Sequence, residues 1–432
     1  MKTIFREVRV LDPASGRDEV LNVVVEGKEV KAIGRDVGTE EGNVIEGQGK
    51  WLVPGLIDVH VHLREPGFEY KETFITGSHS GAMGGFTTMA YMPNTDPVID
   101  NPGIIKELVQ KGKDRSILNL YPVGSMTLSQ QGETLGDYKE MKKAGAVALS
   151  EDGKSVLDSC VMKQGLLKAK EEDLPVLVHC EDPSLVGGGA MNQGERSRAL
   201  GIKGIPNSAE DVITARDLIL SGETGARVHL CHMSTKGSVE LLEQAKAKNH
   251  RVSGEVSPHH FTLTEEVIDG VDTDTKMNPP LRREEDRQAL IQGLQKGIID
   301  IIATDHAPHS REDKNQPYEK APFGIVGLET ALSIGLTELV HTGILSPLDF
   351  FEKLTVNPAK LLGISRGKLQ VGEVADLTLV DPKVSYEIDP ESFQSKSRNT
   401  PFKGRKVKGR AVLTMVSGKI VMENNRLKED TQ

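Results

Sequence analysis

The rhythm of apolar and polar positions changes twice along the chain. At the N-terminal end, short β-rich runs at residues 4–10, 22–25, 28–33 and 42–46 are separated by turn signals such as Glu26-Gly27, which predicts a small β-layer. The C-terminal end repeats that texture at 376–380, 411–416 and 419–422, and closes on a polar stretch, 423–432, expected to fray. Neither piece is large enough to stand alone. The economical expectation is one small β-sandwich domain built by both termini, residues 1–52 with 365–432.

Between the two ends the texture is different. Apolar runs at 56–61, 87–91, 118–123, 146–149, 176–178, 227–231, 251–256 and 298–303 alternate with helical patterns such as 104–111, 138–143, 209–220 and 239–248. Strands that alternate with helices predict βα units. Eight such units predict an α/β fold, a (β/α)8 TIM-like barrel over residues 53–364. An open doubly wound sheet is the alternative, but Gly81 to Gly85 precedes a strand instead of coming after one, so the dinucleotide fingerprint is missing.

Composition narrows the function. A length of 432 residues suits a barrel plus one modest second unit, and a formal net charge of -10 argues against a nucleic-acid binder. The opening residues 1–9 mix charge with apolar residues and lack the apolar core of a secretory signal, and no run of about eighteen apolar residues is long enough to span a membrane. Cys160, Cys180 and Cys231 form no paired spacing, so a reducing cytoplasm is expected. Cys180 and Cys231 each adjoin a histidine. Strand alternation predicts that they pack outward as small buried hydrophobes if those histidines face a site.

The decisive pattern lies at the C-terminal end of each predicted strand. His60-Val61-His62 ends the first, Asp152 comes just after the fourth, His179 after the fifth, His232 after the sixth, and Asp305-His306 after the eighth. In a barrel all strand C-termini open on one rim, so these side chains converge. A lone histidine at a strand end is usually a hydrogen-bonded loop residue. Four histidines and two aspartates at one rim exceed what a single tetrahedral zinc takes up. The surplus points to two ions sharing a bridging carboxylate, at the separation of about 3.5–4 Å common to two-metal sites.

The residues also carry a resemblance. The run from Asp58 through His60, His62 and Arg64 to Gly67, together with Met92-Pro93-Asn94-Thr95, resembles the amidohydrolase superfamily. With Lys276 to Arg282, Ala303 to His309 and Ala321-Pro322-Phe323-Gly324, it resembles within that superfamily the dihydroorotase family of the bacterial single-function type. His-X-His alone carries only the superfamily. The resemblance implies two zinc ions, one held by His60, His62 and Asp305, the other by His179 and His232, with Asp152 bridging both. It implies that Arg64, Asn94 and His309 clasp a substrate carboxylate, that His62 and Asn278 also contact the substrate, and that backbone at Phe323 and Gly324 completes the pocket. Asp305 would also move the proton as acid and base.

Those roles are chemically sensible. Amide hydrolysis at neutral pH needs a strong nucleophile, and a divalent ion lowers the pKa of water from 15.7 to about 7. A planar guanidinium recognises a carboxylate with a bidentate pair. The implied activity is zinc-dependent interconversion of L-dihydroorotate and N-carbamoyl-L-aspartate in pyrimidine synthesis, by a homodimer that binds a small molecule and neither nucleic acid nor membrane. Hydantoinases, dihydropyrimidinases and allantoinases are the nearest rivals. They commonly bridge their metals with a carboxylated lysine, for which Lys154 is the local candidate. Glu151 stands where many relatives carry a second aspartate, which leaves open whether Glu151 or Asp152 bridges. A non-catalytic scaffold is a further alternative, but such relatives usually lose ligands and all six are present here. His259, His260 and His306 are expected to support the site without ligating, and His79, His229, His250 and His341 to be ordinary.

Overall fold

A computed structural model of the chain describes residues 2–38 and 41–428. Met1 and the last four residues of the stretch expected to fray lie outside the described residues.

Eight parallel strands succeed one another in strict sequence order. They are Leu56–Val61, Phe86–Tyr91, Asn119–Ser125, Ala148–Ser150, Val176–Val178, Val228–Leu230, Val252–Val256 and Ile301–Ile302. The ring closes where the eighth strand meets the first: the His62 amide donates to the His306 carbonyl at 2.8 Å, and Val61 bridges His306 in parallel. Ile57, Val59, Ala90, Val123, Leu177 and Ile301 belong to one buried apolar cluster drawn from strand after strand, so the barrel is a packed core and not a pore.

Helices return the chain between strands, and local chemistry sets their limits. The helix Pro102–Arg115 starts two residues before its apolar pattern, because the Asn101 side chain accepts from the Gly103 and Ile104 amides and Pro102 is already shaped for the first turn. Thr73 and Thr76 form a capping box that opens the helix Phe74–Gly84. That helix ends at Gly85, whose φ of 89° and close approach to Thr378 and Ala411 leave no room for a side chain.

The β-sandwich expected from both termini takes the form of one nine-stranded sheet. Trp51–Pro54, a strand the apolar pattern does not announce, pairs with Lys2–Asp12 on one side and antiparallel with Leu377–Glu387 on the other, joining the two chain ends. Phe5, Val8, Val23, Leu52, Leu377 and Leu413 form its buried core. Arg426–Leu427, inside the stretch expected to fray, pairs with Met422 and Glu423 at the sheet edge. The sheet is fastened to the barrel by Thr378, which donates to the Gly85 carbonyl at 2.6 Å, and by Thr414, which donates to the Ala82 carbonyl at 2.7 Å.

Candidate active site and metal centre

All the predicted rim residues come from strand ends or the turns just after them, and several turns are strained. Arg64, His232 and Asp305 have φ of 60°, 31° and 50°, the left-handed region that non-glycine residues usually avoid. The strain aims side chains inward that a continued strand would alternate.

His60, His62, Asp152, His179, His232 and Asp305 are all buried and come together. On one side, His62 Nε2 lies 3.1 Å from Asp305 Oδ1, His60 Nε2 lies 3.5 Å from the same oxygen, and His60 Nε2 lies 3.3 Å from Asp152 Oδ1. On the other, His179 Nδ1 and His232 Nε2 are 2.9 Å apart, and each is 3.7 Å from Asp152 Oδ1. Asp152 is common to both groups. Ligand atoms about 2.1 Å from a tetrahedral ion are about 3.4 Å from one another. The observed spacings bracket that edge length.

A second observation supports the fit. His60 Nε2 and Asp152 Oδ1 face the cluster, are buried, and have no hydrogen-bond partner among the described residues. A polar atom left in that state is costly unless something binds it. Burial alone would raise the Asp152 and Asp305 carboxyls. The neighbouring imidazoles, His60 foremost, outweigh it and hold both below the usual carboxylate range, so both are anions ready to ligate. The donor set of four imidazoles and two carboxylates is one that zinc accepts.

Residues behind the cluster orient it, and several carry no signal in the sequence that singles them out. Glu255, fully buried on the seventh strand, takes His60 Nδ1 at 2.6 Å and His229 Nε2 at 2.9 Å. That contact fixes the His60 tautomer with Nε2 free toward the cluster. His60 and His229 outweigh the burial of Glu255 and hold it down at about 2. His229, expected to be ordinary, is therefore part of the support. The Asn94 side chain takes His62 Nδ1 at 2.9 Å through its oxygen and donates to Asp152 Oδ2 at 3.4 Å. His306 contacts Glu72 at 3.3 Å and accepts from the Gly327 amide, away from the cluster. His260 contacts the Pro279 carbonyl at 2.9 Å.

Glu151 and Lys154, the other candidates near the expected bridge, both point elsewhere. Glu151 is turned aside, its carboxylate accepting from Ser125 and from both the amide and hydroxyl of Thr127. Lys154 donates to the Gln130 carbonyl at 3.0 Å. Of these three, Asp152 is the one that approaches both groups of candidate ligands. The expectation for the cysteines holds at Cys180, which packs in the large apolar core, and fails at Cys231. The Cys231 sulfur lies within 4.8 Å of ligand-type atoms of His60 and Glu255, inside the barrel. Alternation assumes an extended backbone, and the left-handed turn at His232 breaks it.

Above the cluster is a cavity of about 220 Å³, lined by His62, Arg64, Asn94, Asp152, Gly153, His179, His232, Asn278, Asp305, Ala307, His309, Phe323 and Gly324. Of the residues predicted for the site only His60 is missing from that lining; it lies beneath, fully buried. Arg64 has no carboxylate partner among the described residues; Nε donates to the Pro308 carbonyl at 3.2 Å and a terminal nitrogen lies 3.4 Å from His309 Nε2. Burial brings its guanidinium down to about 10, still charged at neutral pH. His309 is pushed down to about 2 by burial and by Arg64, Lys71 and Lys314. Its neutral ring donates from Nε2 to the Phe323 carbonyl at 2.9 Å and accepts from Lys71 at 3.2 Å. Gly324 has φ of 133°, and a Cβ there would sit 2.7 Å from Ala307. Its amide donates to the Lys276 carbonyl at 3.0 Å.

Comparison with known proteins decides among the cyclic amidohydrolases. Residues 49–238 match the family model described as Dihydro-orotase-like. The dihydroorotase of Pelotomaculum thermopropionicum is 50% identical over 98% of this chain and 99% of its own length. The chain belongs to the dihydroorotase family of cyclic amide hydrolases. The dihydroorotase of Acetivibrio thermocellus is 46% identical over 97% of this chain and 98% of its own. Among solved structures, the L-hydantoinase (dihydropyrimidinase) of Arthrobacter aurescens superposes with a TM-score of 0.89 at 26% identity, covering 99% of this chain and 97% of that one. The overall fold is thus shared with that solved structure.

Proposed function

We propose that this chain is a two-zinc dihydroorotase, interconverting L-dihydroorotate and N-carbamoyl-L-aspartate in the de novo synthesis of UMP. The observation that carries the reading is Arg64, a half-buried cation with no carboxylate partner among the described residues, which lines the cavity beside the candidate ligand cluster. Such a charge is costly unless an anion arrives to meet it. Dihydroorotate carries a carboxylate; hydantoin and dihydrouracil do not.

His60, His62 and Asp305 would hold one zinc, His179 and His232 the other, with Asp152 shared. When bound, the ions activate water and polarise the attacked carbonyl. The chain's own groups do the rest. Arg64 takes the substrate carboxylate and orients the ring, with His309 beside it and Asn94 and Asn278 on the lining. Asp305 starts as an anion, accepts the proton of the attacking water, and gives it to the departing ring nitrogen, which is more basic than a carboxylate. Asn94 keeps His62 and Asp152 in place through both ends of its amide. The three cysteines form no disulfide, and among the described residues no helix is long and apolar enough to cross a membrane.

The test is a panel. Metal-loaded protein is incubated with dihydroorotate, hydantoin, dihydrouracil and allantoin, and ring opening of each is monitored. Dihydroorotate is expected to turn over fastest. Faster opening of hydantoin or dihydrouracil would overturn the substrate assignment.

A further inference from the structure

Beside the cavity, one carboxylate joins two parts of the site that lie far apart in sequence. Glu181 lies beyond the fifth strand, two residues after His179. Its Oε2 accepts from Asn278 Nδ2 at 2.6 Å, and its Oε1 lies 4.0 Å from His179 Nε2. The Ser155 hydroxyl receives the Glu181 amide at 3.0 Å and donates to the His179 carbonyl at 2.5 Å, so the backbone that carries the carboxylate is itself held.

The consequence falls on Asn278. A carboxylate accepts and cannot donate, so the Asn278 amide must present its nitrogen to Glu181. Its oxygen is then committed to the opposite direction. Asn278 Oδ1 is buried and has no partner among the described residues, while Asn278 lines the cavity. A buried acceptor without a donor asks for one from whatever fills the space.

We propose that Glu181 is a specificity-determining positioning residue: by fixing the Asn278 amide it presents Oδ1 to an N–H of the bound ring or of the ureido group of the opened substrate. This rests on the reading of the cavity as a cyclic-amide site. A substrate with an ester oxygen or an N-methyl group at that point would leave Oδ1 unpaired and be rejected. Toward His179 the carboxylate comes only within 4.0 Å of Nε2, an atom with no hydrogen-bond partner among the described residues, so its bonded role is with Asn278 and not with the ligand cluster.

Glu181→Gln preserves size but lets the Asn278 amide adopt either orientation. Steady-state kinetics and metal content are measured for metal-loaded wild type, Glu181→Gln, Asn278→Ala and the double variant. Glu181→Gln is expected to raise KM roughly 3- to 10-fold, the worth of one hydrogen bond, with kcat within about twofold and metal content unchanged. In the Asn278→Ala background the Glu181 change should add nothing, because its target is gone. Additive effects would overturn the proposal, as would loss of metal in Glu181→Gln. A lower KM for an anionic substrate would overturn it too, since that is the result of merely removing a negative charge. If wild type opens another of the four rings faster than dihydroorotate, the substrate reading falls alone, and the same cycle run on that ring still decides the role of Glu181. If wild type opens none of them, both fall.

Discussion

The barrel rim and the terminal sheet bury polar groups in opposite ways. In the sheet every strand finds a neighbour, and polar side chains drawn into it are met by several partners. Asp12 accepts from Ser15 at 2.6 Å, from the Leu369 amide at 3.2 Å and from Gln370 at 3.1 Å. Asp376 is held by Arg366, Asn119 and the Ser417 amide. At the rim, His60 Nε2, Asp152 Oδ1 and Asn278 Oδ1 are buried without partners among the described residues. The sheet meets these carboxylates on folding and leaves only Arg410 Nε without a partner among its buried described side-chain atoms. The rim leaves several bonds unmade, at the atoms where we propose that ions and substrate bind.

That contrast can be broken at several points. The largest effect is expected at Asp305. Asp305→Asn should lower kcat roughly 10²- to 10⁴-fold, the usual worth of a positioned acid–base group, with the thermal unfolding midpoint of the metal-free protein little changed. A kcat near wild type would show that the proton is handled elsewhere. Leu413→Ala, in the core of the terminal sheet, should do the reverse, costing about 2–5 kcal/mol in denaturant unfolding while leaving turnover per folded molecule intact. Altered kcat there would mean that sheet and rim are coupled.

Arg64→Ala sharpens the comparison on the substrate side. Losing a charge-assisted pair worth roughly 1.5–3 kcal/mol should raise KM about 10- to 100-fold, with metal content measured by emission spectroscopy unchanged. Unchanged affinity would count against the carboxylate assignment. The last test is on acid stability. His309 has its folded pKa depressed from 6.5 to about 2, so between those values the unfolded chain binds a proton that the native ring refuses. Stability from this group is present above about 6.5 and is lost as pH falls toward 2. His309→Asn should flatten the pH dependence of unfolding of metal-free protein in that window by up to about one proton, and an unchanged slope would contradict the neutral assignment.

Much of this is legible in the sequence, for physical reasons that also set the limits. The candidate ligand residues stand out because a barrel gathers strand ends, so His60, Asp152, His179, His232 and Asp305 are placed by the strands that carry or precede them. Glu255 is not, because a polar residue in mid-strand has the same period whether it faces a partner or solvent, and only coordinates reveal His60 and His229 against it. Glu181 is closer to reach: it stands two residues from His179, the strand spacing that shares a face. Cys231 departs from its expected outward packing because alternation fails where His232 turns left-handed. The Trp51–Pro54 strand is too short and too flanked by Pro54 and Gly55 to announce itself, yet it joins the two ends of the chain. For Asn94 the sequence suggests a substrate contact, and the structure adds that its amide spans His62 and Asp152.

The central claim is that two ions sit side by side at the mouth of the barrel with Asp152 between them. Diffraction from zinc-loaded crystals at the zinc absorption edge tests it directly. The account predicts two anomalous peaks per chain, one among His60, His62 and Asp305, the other at His179 and His232, each within bonding distance of Asp152. A single peak, or peaks away from these six side chains, would contradict it.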